Sequence, residues 1–168
     1  THLERSTMEG HLASAGAVNV NYANLLERPL ALLQGGVNGF GRALYAASPK
    51  VGNGYLLYAI EAGRNDGPWT RPDDFRKLNG VLRYTSGDQK GGFSITAMGY
   101  DARWDSTDQI PARAVGDGAI SRFGLIDPSD GGETSRYTLA SEWQRNSSSA
   151  LTQASAYAIR YKLNLFSN

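Results

Sequence analysis

Residues 153–166, with the sequence QASAYAIRYKLNLF, decide the fold class of this chain. Large apolar side chains recur at every second position from Tyr157 to Leu165, and small or polar side chains lie between them. A repeat of two is that of a β-strand, in which successive side chains point to opposite faces. The stretch therefore predicts a strand with one apolar and one polar face, and it places Arg160 and Lys162 on the polar face.

The same alternation recurs towards the N-terminus. In residues 135–144, Tyr137, Leu139 and Trp143 occupy odd-numbered positions with small or polar residues between them. Residues 55–61 and 79–84 alternate in the same way. Between residues 93 and 104 the apolar residues change phase midway, which predicts a bulge near Ala97. The pattern predicts an all-β chain of about seven antiparallel strands.

The composition supports strands and turns. The chain has 168 residues, 20 glycines, nine tyrosines and a formal net charge of +1. Aromatic residues suit a pleated surface, whereas glycine weakens helices. The near-neutral charge gives no basic face for nucleic acid, and the lack of cysteine excludes disulfides and thiolate metal sites.

The connections between the predicted strands fall into two groups. Residues 49–54, 86–91 and 146–148 are short and polar, as in hairpins, whereas residues 64–75 and 105–134 are much longer. Short turns at one end, long loops at the other and alternating strands are typical of a transmembrane β-barrel. A soluble β-domain also alternates faces, and it stays open as the alternative.

The side chains that carry chemistry are sparse. Histidine occurs only at His2 and His11, without a partner cluster, so the sequence predicts no enzyme, no cofactor and no metal site. The acidic stretch 127–133 offers oxygen ligands for calcium but lacks the spacing of an EF-hand loop, and it is equally well explained as a turn-rich surface.

Several ordered motifs resemble one family of membrane proteins. The segments NDGPW (65–69), RKLNGVLRY (76–84), TAMGY (96–100), STDQIP (106–111), DPSDGG (127–132) and YAIRY (157–161) are similar, in order and spacing, to the early barrel of TonB-dependent receptors. Upstream, residues 14–20 resemble the glycine-rich strand that ends the plug domain of these receptors. The chain is therefore identified with the plug end and the first barrel strands of a TonB-dependent receptor.

The resemblance implies a domain organisation. Residues 1–25 would be the C-terminal end of the plug, and residues 26–168 the N-terminal part of the barrel. The first hairpin would comprise residues 30–37 and 40–48 and turn at Asn38-Gly39, a dipeptide that readily adopts a tight turn. About seven strands cannot close a barrel of about 22 strands, so the chain is expected to be a fragment of an antiparallel transmembrane barrel.

The resemblance also implies function, location and partners. Such a receptor binds a scarce solute, such as iron bound to a siderophore or cobalamin, and imports it across the outer membrane of a Gram-negative bacterium. Its partners would be outer-membrane lipid and lipopolysaccharide, the nutrient, and the TonB complex through a plug region that this sequence lacks. Two other functions stay open, a passive outer-membrane channel and a soluble secreted β-domain that binds carbohydrate or protein.

The long loops supply the candidate ligand-binding residues. Trp69, Arg71, Arg113 and Arg122 combine an aromatic ring with guanidinium groups, which suit bulky or anionic ligands. An ordinary solvated surface explains the four residues equally well. Arg83, Arg160 and Lys162 are expected on the inner face of the barrel, because charges are costly on the face that meets lipid.

Overall fold

The fold is one antiparallel β-sheet with a single short helix. The computed structural model describes residues 23–88, 91–106 and 109–167. Its strands are β1 (Leu30–Gly35), β2 (Gly41–Ala47), β3 (Lys50–Val51), β4 (Gly54–Asn65), β5 (Phe75–Asp88), β6 (Gly91–Asp105), β7 (Gly131–Asn146) and β8 (Leu151–Phe166), and α1 spans Ala112–Gly116. The predicted all-β antiparallel class is confirmed, with eight strands instead of about seven because the two-residue β3 is added.

The sheet is a meander. Its order is β1-β2-β4-β5-β6-β7-β8, and β3 pairs with β4. Within the described ranges β1 and β8 are the two edges of the sheet and do not pair with each other, so the sheet is not closed. No helix in those ranges is long and apolar enough to cross a membrane.

The first hairpin turns where the sequence predicted. Asn38 and Gly39 have φ angles of 55° and 68°, and the amide of Phe40 donates to the carbonyl of Val37 at 3.1 Å. Positive φ at both central residues is the mark of a type I′ turn, whose twist matches that of the strands it joins. The Asn-Gly dipeptide therefore sets the register of β1 against β2.

The connections alternate as predicted. The Asn38-Gly39 turn and the longer connections 66–74 and 106–130 lie at one end of the sheet, here called the loop end. The connections between β3 and β4, β5 and β6, and β7 and β8 lie at the opposite end, the turn end. The helix α1 lies within the longest connection.

The predicted bulge in β6 is wrong. The strand pairs with β5 and β7 without a skipped residue, so Phe93 and Ile95 lie on one face, and Met98 and Tyr100 on the other. The apolar residues change phase because both faces of this central strand accept them. Packing is tight on the face that carries Met98, where Thr96 is only 1% exposed.

Residues that pair directly across two antiparallel strands share a face, which defines two faces of the sheet. One face, called the belt face, carries Leu82, Ile95, Leu139 and their cross-strand partners. The other, called the inner face, carries Glu61, Arg83, Thr96 and Glu142.

Strand β8 has the opposite orientation to the prediction. Its pairing with β7 puts Tyr157 opposite Ala140 and Arg160 opposite Tyr137. The large apolar residues of β8 therefore lie on the inner face, where Tyr157 is 77% exposed. Arg160 and Lys162 lie on the belt face. Of the three cations predicted on the inner face, only Arg83 lies there.

The turn before β8 explains this difference. The amide of Ser147 donates to the carbonyl of Ala150 at 2.9 Å, and the amide of Ala150 donates to Oγ of Ser147 at 3.1 Å. These bonds fix a four-residue loop between Asn146 and Leu151. A change of one residue in loop length would exchange the two faces of β8, and alternation along a single strand does not contain that information.

Candidate functional site

The belt face carries a broad band of exposed and half-buried apolar side chains. They line up in cross-strand rows from β2 to β7 and are here called the belt: Tyr45, Leu56, Tyr58, Ile60, Leu82, Tyr84, Phe93, Ile95, Tyr137, Leu139 and Trp143. Two contacts between rings link neighbouring strands, Tyr45 with Tyr58 at 6.0 Å and Tyr84 with Phe93 at 5.8 Å. In β8 the belt face holds Ala154, Ala156 and Ala158 at the levels of Trp143, Ser141 and Leu139, and Arg160 at the level of Tyr137.

The belt has aromatic residues along both borders. Tyr45 and Tyr137 lie in its row nearest the loop end, and Phe93 and Trp143 lie in its row nearest the turn end. Tyr137 and Trp143 are six positions apart on β7, which corresponds to about 20 Å along a strand. The belt is therefore an apolar band with aromatic side chains along two opposite borders.

A row of charged residues borders the belt on the loop side. Arg64 of β4 pairs with Arg76 of β5, Arg76 with Arg103 of β6, and Arg103 with Glu133 of β7. These four residues, with Lys162 one row nearer the belt, are here called the rim. The charge on this face is thus concentrated next to the loops and not within the belt.

The inner face carries a buried polar network around Arg83. Its guanidinium group donates to Thr96 Oγ1 at 2.6 Å and to Glu142 Oε2 at 3.1 Å, and Ser94 Oγ donates to the same Glu142 oxygen at 3.0 Å. Arg83 is 7% exposed. A buried cation requires such partners, because an unpaired one is costly.

The N-terminal segment of the described chain lies against this network. Arg83 Nε donates to Asn24 Oδ1 at 3.0 Å, and Thr85 Oγ1 donates to the same oxygen at 3.4 Å. Two residues on, the amide of Leu26 donates to Ser48 Oγ at 2.7 Å. The last residues of the predicted plug remnant therefore contact the inner face, while residues 1–22 lie outside the described ranges.

A second inner-face network lies nearer the loop end. Glu61 Oε1 is 2.8 Å from Arg42 Nε and 2.7 Å from Lys77 Nζ. The carboxylate therefore ties together three neighbouring strands, β2, β4 and β5. The sequence pattern did not identify Glu61 or Glu142, although both occur on the polar phase of their strands and could have been matched to the cations beside them.

All four predicted ligand residues lie in the two long connections, 66–74 and 106–130, which pack on each other and are here called the loop pair. The amide of Thr70 donates to the carbonyl of Phe123 at 2.8 Å, and the rings of Trp69 and Phe123 are 6.1 Å apart. Arg122 lies with its guanidinium carbon 5.9 Å from the Phe123 ring. Phe123, which the sequence did not single out, is the residue that brings Trp69 and Arg122 together.

The other two candidate residues differ in their surroundings. Arg71 lies in the same pair of loops, where its guanidinium group is 3.2 Å from Asp105 Oδ2 and also donates to the carbonyl of Pro128. Arg113 is exposed in α1. Among the described contacts none connects Arg113 with the other three.

The acidic stretch 127–133 forms a turn at residues 128–129 and then enters β7 at Gly131. Asp127 Oδ1 accepts hydrogen bonds from the amide of Ser129 at 2.7 Å and from its hydroxyl at 2.6 Å. No group of three or more potential metal ligands was found within residues 23–88, 91–106 and 109–167. His2 and His11 lie outside those ranges.

Asp73 makes the loop pair sensitive to pH. Burial raises the pKa of Asp73, the Trp69 hydrogen bond at 2.9 Å opposes that rise, and the charges of Asp105 and Asp66 add to it. The folded state therefore favours the protonated form. The contribution of Asp73 to stability should increase as the pH falls through the raised pKa and level off below the ordinary value of 3.8.

This prediction can be measured through Trp69 in a variant that keeps no other tryptophan. The midpoint temperature of its fluorescence change should rise between neutral and acidic pH, and Asp73→Asn should remove most of that rise. The matched control is Asp117→Asn, which replaces an exposed carboxyl in the 106–130 connection. This variant should keep the rise in midpoint temperature. An unchanged pH response in Asp73→Asn would show that another group controls the loops.

The comparison with known proteins gives no match to a family model, a curated protein or a solved structure.

Proposed function

We propose that this chain is part of the barrel wall of a TonB-dependent outer-membrane receptor that binds and imports a scarce solute. The belt is the observation that carries the proposal. Eleven large side chains form one continuous apolar surface on the belt face, and the strands that carry them pair over their length. Single exposed apolar residues are normal in soluble proteins, but a continuous patch of this size marks an interface.

Lipid is the partner that fits this interface best. In a bilayer every backbone group must be paired inside the protein, and the antiparallel meander satisfies this requirement for its inner strands. The long loops then project from one side of the membrane and the short turns from the other, as in outer-membrane barrels. Further strands would have to pair with the free edges of β1 and β8.

The inner face and the loops suit a receptor. Arg83, Glu142 and Glu61 keep charge away from lipid, and the contact of Asn24 with Arg83 supports a chain that enters the barrel from its inside. The loop pair exposes guanidinium groups beside aromatic rings, so Trp69, Arg71 and Arg122 remain the proposed ligand contacts. Transport energy would come through the TonB complex.

The three tryptophans allow a direct test. Trp143 lies on the belt, Trp104 on the inner face and Trp69 in a loop. After refolding into phosphatidylcholine vesicles with brominated acyl chains, a variant retaining only Trp143 should be quenched several-fold more than one retaining only Trp104. Equal quenching of the two variants, or a monomer that folds in plain buffer without lipid, would contradict the proposal.

A further inference from the structure

We propose that the rim binds the phosphate groups of membrane lipid headgroups, an inference that rests on the proposed function. The first observation is the alignment of like charges. Arg64, Arg76 and Arg103 lie directly opposite one another on three adjacent strands. Neighbouring strands are about 5 Å apart, and like charges placed directly opposite destabilise a sheet, so this row requires anions.

The carboxylates nearby neutralise only part of the row. Asp74 is shared, with Oδ1 2.7 Å from Arg76 and Oδ2 3.9 Å from Arg103. Glu133 is 3.0 Å from Lys162 Nζ and also accepts from Asn164 at 2.7 Å. Arg64 makes no ion pair within the described residues. Asp101 also lies on this face, one row nearer the belt, and accepts from the Tyr137 hydroxyl at 2.7 Å. The four cations of the rim therefore exceed the three nearby carboxylates by one.

The existing ion pairs can be exchanged. The side chains of Arg76, Arg103 and Lys162 are each more than half exposed, and exposed pairs contribute little. An open cleft of about 450 Å³ runs between them, lined by the cations Arg76, Arg103 and Lys162 and by the carboxylates of Asp101 and Glu133. The cleft offers room for a phosphate group, whose oxygens guanidinium groups bind in a bidentate manner.

The position of the rim selects a lipid over a free anion. Glu133 lies four residues from Tyr137, which corresponds to about 13 Å along the strand and to about 10 Å along the membrane normal for a tilted strand. The rim row therefore lies two rows beyond the aromatic border of the belt, at the depth of headgroups. A phosphate held there can keep its acyl chains on the belt, which inorganic phosphate cannot do.

The test uses the whole chain and two vesicle compositions. Partition is measured into pure phosphatidylcholine and into phosphatidylcholine with about 30% phosphatidylglycerol. The anionic lipid should increase partition about tenfold or more, since each cation near an anionic surface contributes appreciably. The triple variant Arg64→Gln/Arg76→Gln/Arg103→Gln should lose most of this increase while its partition into pure phosphatidylcholine stays the same.

A control variant separates the rim from net charge. The triple variant Arg28→Gln/Lys50→Gln/Arg136→Gln removes three exposed cations away from the rim, and it should keep the increase. An equal loss in both triple variants would overturn the headgroup site. So would complete suppression by inorganic phosphate at an ionic strength where chloride has little effect, because the site would then be one for a free anion.

The same samples distinguish failure of the two proposals. If Trp143 is quenched by brominated lipid but the rim variant behaves like the control, the belt inserts and the headgroup site is wrong. If Trp143 is not quenched, the proposed membrane function is wrong as well. Each proposal therefore has its own readout.

The place of Lys162 in the rim depends on the register of β8, which cross-linking can establish. The chain has no cysteine, so introduced pairs are unambiguous. Ser141→Cys with Ala156→Cys should form a disulfide, because these residues are directly paired on the belt face. Preferential cross-linking of Ser141→Cys with Ser155→Cys would place Lys162 on the inner face and remove it from the rim.

Discussion

Replacing Leu139 by arginine is expected to lower partition into phosphatidylcholine vesicles by about 30- to 700-fold, from a cost of about 2–4 kcal/mol for a cation on the lipid face of a barrel. Leu139 lies in an inner row of the belt, between Tyr137 and Trp143 on the same strand, and it is 55% exposed. In the proposed orientation its side chain would meet acyl chains, about 7 Å along the strand from the border at Tyr137 and about 13 Å from the border at Trp143. Arginine there would have to reach a border or remain unsolvated.

The neighbouring residue provides the control. Thr138 lies on the inner face, opposite Met98 and Ile159, where a cation can stay hydrated or contact polar groups. Thr138→Arg should therefore change partition by less than about threefold, since lumen-facing substitutions do not meet lipid. Flotation of both variants with vesicles on a density gradient measures the difference. Similar losses for the two variants would mean that the belt is not the surface that meets lipid.

Much of the fold could be predicted because alternation is a local property. The period of two in residues 135–144 and 153–166 gave strands, and Asn38-Gly39 gave a type I′ turn with the expected φ angles. The difference in length correctly predicted the ends at which five of the connections lie, whereas the two-residue Asn38-Gly39 turn lies at the loop end with the long connections. These features depend on residues that are near one another in sequence.

The predictions that were wrong concern features that depend on contacts outside the strand itself. The phase of β8 follows from the hydrogen bonds of Ser147 and Ala150, not from the strand itself. The phase change in β6 looked like a bulge because both of its faces accept apolar residues. In the same way the loop pair depends on Phe123, whose only signal in the sequence was an aromatic ring next to Arg122.

The network around Arg83 gives the second large expected effect. Arg83→Met should lower the free energy of unfolding by about 1.5–3 kcal/mol, the range for hydrogen bonds made by a charged group. The substitution leaves Thr96 without its short hydrogen bond at a position that is 1% exposed. It also removes the cation beside Glu142 and the donor to Asn24, so β5 is no longer tied to β7 and the N-terminal segment.

Urea unfolding of the vesicle-bound chain, followed by tryptophan fluorescence, measures this effect. Arg136→Met is the matched control, because Arg136 lies on the same inner face but is exposed, and it should cost less than about 0.5 kcal/mol, as ordinary surface substitutions do. Glu142→Gln combined with Arg83→Met should cost less than the sum of the single changes, since residues in one network are coupled. Additive costs would show that the two side chains stabilise the sheet independently, and that the contact between β5 and β7 is not the source of the effect.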